Sequence, residues 1–157
     1  MRIRSVMEEF VEYFKALGDI TRLKILRLLM KAETNLCVCE IMDAIEDSHY
    51  NVSRHLKILK TAKLVKEKKD GKWVYFGLSN PQNPFHEGLL QAVRNIPEDQ
   101  LFHHAKRLML RLSLRENDKC VDGLNSEKWR QAVEIFNIVN KNVKKSARHG
   151  GSVNNRP

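Results

Sequence analysis

The sequence predicts a mainly α-helical fold with one small β-hairpin. Three observations carry this. Apolar residues recur at helical spacing through most of the chain. The period changes to alternation over one stretch, "LVKEKKDGKWVYFGLS", with a turn at Asp70-Gly71. Helical spacing then resumes beyond Pro81 and Pro84.

In the first helix Val6, Phe10, Tyr13, Phe14 and Leu17 share one face, and Gly18 closes it. Asp19 suits the N-cap of a second helix, "ITRLKILRLLMK", striped by Leu23, Leu26, Leu29 and Met30. Val38, Ile41, Met42 and Ile45 define a third, with Cys37 and Cys39 straddling its start. After Glu46-Asp47-Ser48, a helix capped by Ser48 runs through "HYNVSRHLKILKTA"; it buries Val52, Leu56 and Leu59 and turns Lys57, Lys60 and Lys63 outward. In the hairpin, Val74 and Phe76 fall on one face and Trp73 and Tyr75 on the other. Three more helices follow: "FHEGLLQAVRN", "LFHHAKRLMLRLSL" and "SEKWRQAVEIFNIVNKNV". The last is capped by Ser126 or Asn125, with Trp129, Val133, Phe136 and Val139 or Asn140 inward. No internal repeat is present. Lys144 to Pro157 lacks an apolar stripe and is expected to be a disordered basic tail.

With 157 residues the chain has enough length for a hydrophobic core without disulfides. Its 28 Lys+Arg against 19 Asp+Glu give a net charge of +9, so the surface attracts polyanions, nucleic acid above anionic membrane. Glu8, Glu9 and Glu12 interrupt the apolar run that a signal peptide would need, and no stretch approaches a membrane span, so a cytoplasmic location is expected. An odd count of three cysteines in a reducing compartment leaves free thiols, soft-metal ligands or core residues.

Three helices followed by a hairpin have the layout of a winged helix-turn-helix, here with additional C-terminal helices, in which the last helix before the hairpin enters the major groove. On that helix His49, Tyr50, Asn51, Ser53 and Arg54 are placed to read base edges and Lys57 to meet phosphate. Lys68, Lys69 and Lys72 at the hairpin tip form a cationic finger whose contribution to DNA binding is salt-sensitive.

The fragments "FKALGDITRLKILRLL", "NLCVCEI", "NVSRHLKILKTAKLV" and "DGKWVYFGLS" follow one another as in the ArsR/SmtB transcriptional repressors, and the resemblance covers about residues 6 to 95. It implies a winged-helix dimer that leaves its operator on binding a metal or metalloid. Cys37, Val38 and Cys39 fall on the Cys-Val-Cys that the arsenic-responsive and cadmium/lead-responsive members share.

Residues i and i+2 of an ideal helix lie about 200° apart, too far round for two thiolates to share one ion. Cys37, however, takes the N-cap place, with Glu40 three residues on completing a capping-box pattern, so its backbone is expected to be non-helical and the two sulfurs can converge. A helix N-terminus also favours the thiolate. Thiolates select soft metals, and two leave most such ions under-coordinated. Cys120, in the polar loop "RENDKCVDG", is the third candidate, from the same chain or a partner. Three sulfurs suit arsenite or antimonite, as the resemblance implies for arsenic sensors; zinc wants a fourth ligand. Cadmium/lead members take further cysteines from an N-terminal extension, and residues 1 to 36 contain none. The family's histidine and carboxylate zinc site finds no matching spacing, and the adjacent His103 and His104 read as surface or core residues because neighbours on a helix point apart.

The expected organisation is a winged helix-turn-helix DNA-binding and dimerisation domain over residues 1–95, a helical extension over 96–143 and the tail over 144–157. The first helix and the helix Phe85 to Asn95 are expected to form a homodimer on palindromic double-stranded operator DNA. The expected function is repression relieved by arsenite or antimonite at Cys37, Cys39 and Cys120. A cadmium, lead or zinc response, or a thiol-redox response, is the alternative on the same fold. No membrane partner and no organic substrate is expected. No Cys-x-x-Cys and no orienting Asp or Asn beside a Cys-His pair supports an enzyme.

Overall fold

The computed structural model describes residues 5–149. Its helices are α1 (Val6–Leu17), α2 (Ile20–Ala32), α3 (Val38–Ile45), α4 (His49–Thr61), α5 (Pro84–Arg94), α6 (Phe102–Leu112) and α7 (Glu127–His149), with a 3-10 turn at Glu98–Leu101. Its strands are β1 (Leu36–Cys37), β2 (Val65–Asp70) and β3 (Trp73–Leu78). This is the mainly α winged helix-turn-helix expected, with extra C-terminal helices.

Helix starts are set by short polar side chains. Asp19 Oδ1 accepts the Arg22 N–H at 3.0 Å, Ser48 Oγ the Asn51 N–H at 3.2 Å, and Asn83 Oδ1 the His86 N–H at 2.8 Å. Each satisfies a backbone donor that the first helical turn leaves free. For α7 the cap is Ser126, whose Oγ accepts the Trp129 N–H at 3.1 Å.

The core gathers Ile25, Leu26, Leu28 and Leu29 from α2, Ile41 from α3, and Val52, Leu56 and Leu59 from α4, with Leu90 and Val93 from α5. Leu108 of α6 is fully buried in the same cluster, so the extension shares the core of the winged helix. The hairpin divides as its alternation requires. Val74 and Phe76 face that core, while Trp73 and Tyr75 face a second cluster containing Cys37, Cys39 and Cys120.

The structure departs from the expected fold in two places. The sheet has three antiparallel strands, in the order β1-β3-β2, with Leu36 opposite Phe76 and Cys37 opposite Tyr75. A two-residue strand is too short to express a period, so sequence pattern could not reveal it. Helix α7 continues to His149, six residues into the expected tail, because Lys144 to His149 contains no Gly or Pro to stop it; the rest of that tail lies outside the described residues. Of the two residues the sequence leaves open for the inner face of α7, Asn140 continues it, Val139 being 53% exposed.

Candidate functional site

The site grows from the junction of β1 and α3. Cys37 ends the strand with φ −77° and ψ 159°, an extended conformation, and is the N-cap residue of α3. Its N–H donates to Glu40 Oε2 at 2.9 Å, the return arm of a capping box. The non-helical cap frees Cys37 from the angular constraint of the helix.

The loop after α6 brings the third sulfur. The Cys37 thiol donates to Cys120 Sγ at 2.9 Å, and the Cys120 N–H donates to the Tyr75 hydroxyl at 2.9 Å. Cys37 and Cys120 are buried, and Cys39 packs half-buried against them. Cys120 therefore reaches Cys37 within one chain, whereas the Cys39 sulfur lies farther off, outside the group in which Cys37, Cys120 and Glu40 offer donor atoms within 4.8 Å of one another.

Hydrogen bonding divides the three thiols. Cys37 donates to Cys120, and this bond, the nearby Cys39 thiol and burial push its pKa up. The bond from Cys37 brings Cys39 down to about 7, against burial and with help from the Arg111 guanidinium. The hydrogen bond that Cys37 donates to Cys120 lowers the Cys120 pKa, against burial. Near neutral pH Cys39 thus has thiolate character, and the Cys37 thiol biases Cys120 in the same direction.

Two buried ion pairs lock this arrangement, and sequence reasoning did not find them. Arg115 is bidentate on Glu40, with Nε 2.7 Å from Oε1 and Nη2 2.7 Å from Oε2. Fully buried Arg111 places Nε 3.0 Å from Asp43 Oδ2 and also donates to the Asp122 and Gly123 carbonyls. Both fasten the extension to α3, and Arg111 holds the loop that carries Cys120. Charged residues at these positions read in sequence as a solvated face; only their partners, 68 and 75 residues away, reveal the burial.

The predicted DNA-reading residues lie along one exposed stretch. His49, Tyr50, Arg54 and Lys57 on α4 are exposed, Tyr50 by 74%, with the Arg54 guanidinium 6.0 Å from the centre of the Tyr50 ring. Asn51 and Ser53 are half-buried. Asn51 Nδ2 donates to Asp47 Oδ1 at 3.0 Å, and Ser53 Oγ lies 3.4 Å from His49 Nδ1. Lys68 and Lys69 on β2 and Lys72 beyond the turn are exposed; Gly71 holds the turn at φ 60°. Lys72 Nζ sits 4.9 Å from the Trp73 ring centre, and Lys119 reaches Asp70 at 3.1 Å, so the thiol loop touches the hairpin tip.

A family description, bacterial regulatory protein of the arsR family, matches residues 19–67. The arsenic resistance transcriptional regulator ArsR2 of Pseudomonas putida is 38% identical over 99 residues, which cover 62% of this chain and 84% of that protein. This chain belongs to the ArsR family. A cadmium resistance regulatory protein CadC homolog of Staphylococcus aureus is 42% identical over 72 residues, covering 46% of this chain and 59% of that protein. Among solved structures, the homodimeric winged helix-turn-helix DNA-binding domain Mb0332 of Mycobacterium bovis, a possible ArsR-family regulator, is 26% identical with a TM-score of 0.50, covering 66% of this chain and 96% of that one. The relatives of this ArsR-family chain are transcriptional regulators, not enzymes, and include arsenic and cadmium resistance regulators. Among the described residues no helix is long and apolar enough to cross a membrane.

Proposed function

We propose that this ArsR-family protein is a homodimeric repressor that releases its operator on binding trivalent arsenic or antimony through Cys37, Cys39 and Cys120. The observation that carries the reading is the meeting of Cys37 and Cys120 at 2.9 Å, with Cys39 packed beside them. Three soft donors and no free fourth favour a three-coordinate metalloid over tetrahedral zinc. Glu40 has an oxygen within 4.8 Å of both buried sulfurs, but Arg115 occupies the two carboxylate oxygens.

The link to DNA runs through α3. Drawing Cys39, in the first turn of α3, toward Cys37 and Cys120 requires that turn to loosen or rotate. Helix α3 is eight residues long and is followed after Glu46-Asp47-Ser48 by the reading helix α4. A shift in α3 therefore displaces the Ser48 cap and the base-facing residues His49, Tyr50, Asn51, Ser53 and Arg54. A coupling of about 1–3 kcal/mol, or roughly 5- to 150-fold in operator affinity, is the usual scale. Lys57 and the wing residues Lys68, Lys69 and Lys72 supply phosphate contacts. Dimerisation uses α1 and α5: Phe10 and Phe14 of α1 pack against Phe85, tilted and edge-on, with ring centres 4.7 and 5.5 Å apart, while Val6, Met7, Val11 and Phe14 remain exposed.

The test is a gel shift with the protein's own promoter, titrated with arsenite, cadmium and zinc, for the wild type and for Ser at each cysteine. Arsenite is expected to release DNA from the wild type at a concentration at least about tenfold below that needed for any of the Ser variants. Failure of arsenite to release it, or normal release from Cys37→Ser, overturns the reading. A thiol-redox response is the second reading, and it rests on Cys37 and Cys120 as the oxidisable pair. Release by a mild oxidant, with arsenite inert, would establish it.

A further inference from the structure

A different set of donors meets at the other end of α3, about 12 Å along the helix from the sulfurs. One carboxylate oxygen of Glu46 and one ring nitrogen from each of His103 and His104 lie within 4.8 Å of one another. Adjacent helical residues were expected to point apart. In the first turn of α6 the two rings nonetheless sit 5.5 Å apart, centre to centre, and both reach the C-terminal end of α3. A separation of about 100° at the backbone leaves two long side chains able to converge on one point.

We propose that Glu46, His103 and His104 form a second cation site, for a borderline divalent ion of the zinc, cobalt or nickel class. Imidazole with one carboxylate is the donor set such ions take, and three protein ligands leave one position for water. Zinc bonds of 2.0–2.2 Å put tetrahedral ligand atoms about 3.5 Å apart, so the donors need to move by roughly 1 Å.

The surroundings supply more than proximity. Glu46 holds a left-handed backbone at φ 59°, with its N–H bonded to the Met42 carbonyl at 2.9 Å, so its carboxylate springs from a fixed point. His104 is half-buried, with Nδ1 3.3 Å from the Ala44 carbonyl, the kind of backbone partner that orients a ligating imidazole. Arg107 donates to the Asp43 carbonyl at 3.0 and 2.8 Å and holds α6 against this end of α3. Its Nη1 lies 3.6 Å from Glu46 Oε1, while His103 Nε2 is 2.9 Å from Oε2, so Glu46 would ligate through one oxygen. A surface ion pair accounts for His103 and Glu46 but not for the placement of His104.

Glu46 is also the first residue of the turn between α3 and α4. A cation held there would pin the extension to that turn, giving the reading helix a second input independent of the thiols.

Cobalt titration of the full chain tests the site, because thiolate ligation produces an intense near-ultraviolet sulfur-to-cobalt band and nitrogen/oxygen ligation does not. Cys37→Ser is expected to keep a nitrogen/oxygen-type cobalt spectrum, and His103→Ala and Glu46→Gln are expected to weaken it at least about tenfold in affinity. Equal cobalt affinity and spectrum in wild type, His103→Ala and Glu46→Gln overturns the proposal. As a measurement independent of variant folding, zinc added to the wild type must shift the imidazole resonances of both His103 and His104; movement of neither, or of His103 alone, also overturns it.

Discussion

Cys37 Sγ and Cys120 Sγ, 83 positions apart in sequence, lie 2.9 Å from each other in one chain. The proposed metalloid site is therefore complete without a partner subunit. Cys120→Ser is expected to raise the arsenite concentration for half-release by about tenfold or more, as Cys37→Ser does, while leaving operator affinity without arsenite unchanged. Fluorescence anisotropy of labelled operator under arsenite titration measures both. A mixture of Cys37→Ser and Cys120→Ser chains should not regain the response, since neither chain holds a full set of thiols.

The parts of this arrangement that depend on local chemistry were legible in the sequence. The Asp19 and Ser48 caps, the alternation that puts Phe76 and Tyr75 on opposite faces, and the non-helical backbone of Cys37 each follow from a few neighbouring residues. What was hidden depends on distant partners. Asp43, Arg111 and Arg115 look like solvated charges, and Glu40 like a capping residue alone, until the extension folds onto α3. Strand β1 is too short to show a period, and His103 and His104 were judged by backbone angle alone when side-chain length decides where they meet.

Arg111 and Asp43 form one of these buried ion pairs, with side chains 1% and 5% exposed. Replacing one partner strands the other charge, so Arg111→Met is expected to cost about 3–5 kcal/mol. The double variant Arg111→Met with Asp43→Leu should recover much of that loss, since an apolar pair of similar volume avoids the desolvation cost. Urea unfolding monitored by circular dichroism reads both. If the double variant is no better than the single, the hydrogen bonds from Arg111 to the Asp122 and Gly123 carbonyls, and not its charge, hold the thiol loop.

Asp19 makes stability depend on acid in a defined direction. Burial alone would raise its carboxyl pKa, but the Arg22 N–H bond and the charges of His55 and Arg22 outweigh it and hold the group below its ordinary 3.8. A carboxylate with a depressed folded pKa contributes stability above the unfolded pKa and loses it as pH falls through the folded value. Asp19→Ala is expected to cost about 1 kcal/mol at neutral pH through loss of the cap. The difference between wild type and Asp19→Asn, which keeps a cap acceptor without the charge, should shrink as pH falls below about 4. Thermal melts across that range measure it, and a gap that widens in acid would contradict the assignment.

Lysines on the proposed DNA-facing side are not equivalent. Lys60 is paired with Glu67, whereas Lys57 and Lys69 are exposed without a carboxylate at hand among the described ion pairs. A cation already neutralised releases fewer counterions when it meets phosphate. Lys57→Ala and Lys69→Ala are each expected to weaken binding about equally on all sequences and to reduce the salt slope by about 1. Lys60→Ala should change the slope by less. Arg54→Ala, in contrast, should cost about 1–3 kcal/mol on the operator and little on unrelated DNA, because its place on the exposed face of α4 is that of a base reader. Anisotropy titrations at several salt concentrations separate these outcomes. A Lys60→Ala slope equal to that of Lys57→Ala would mean that DNA displaces Glu67 and that the wing shifts relative to α4 on binding.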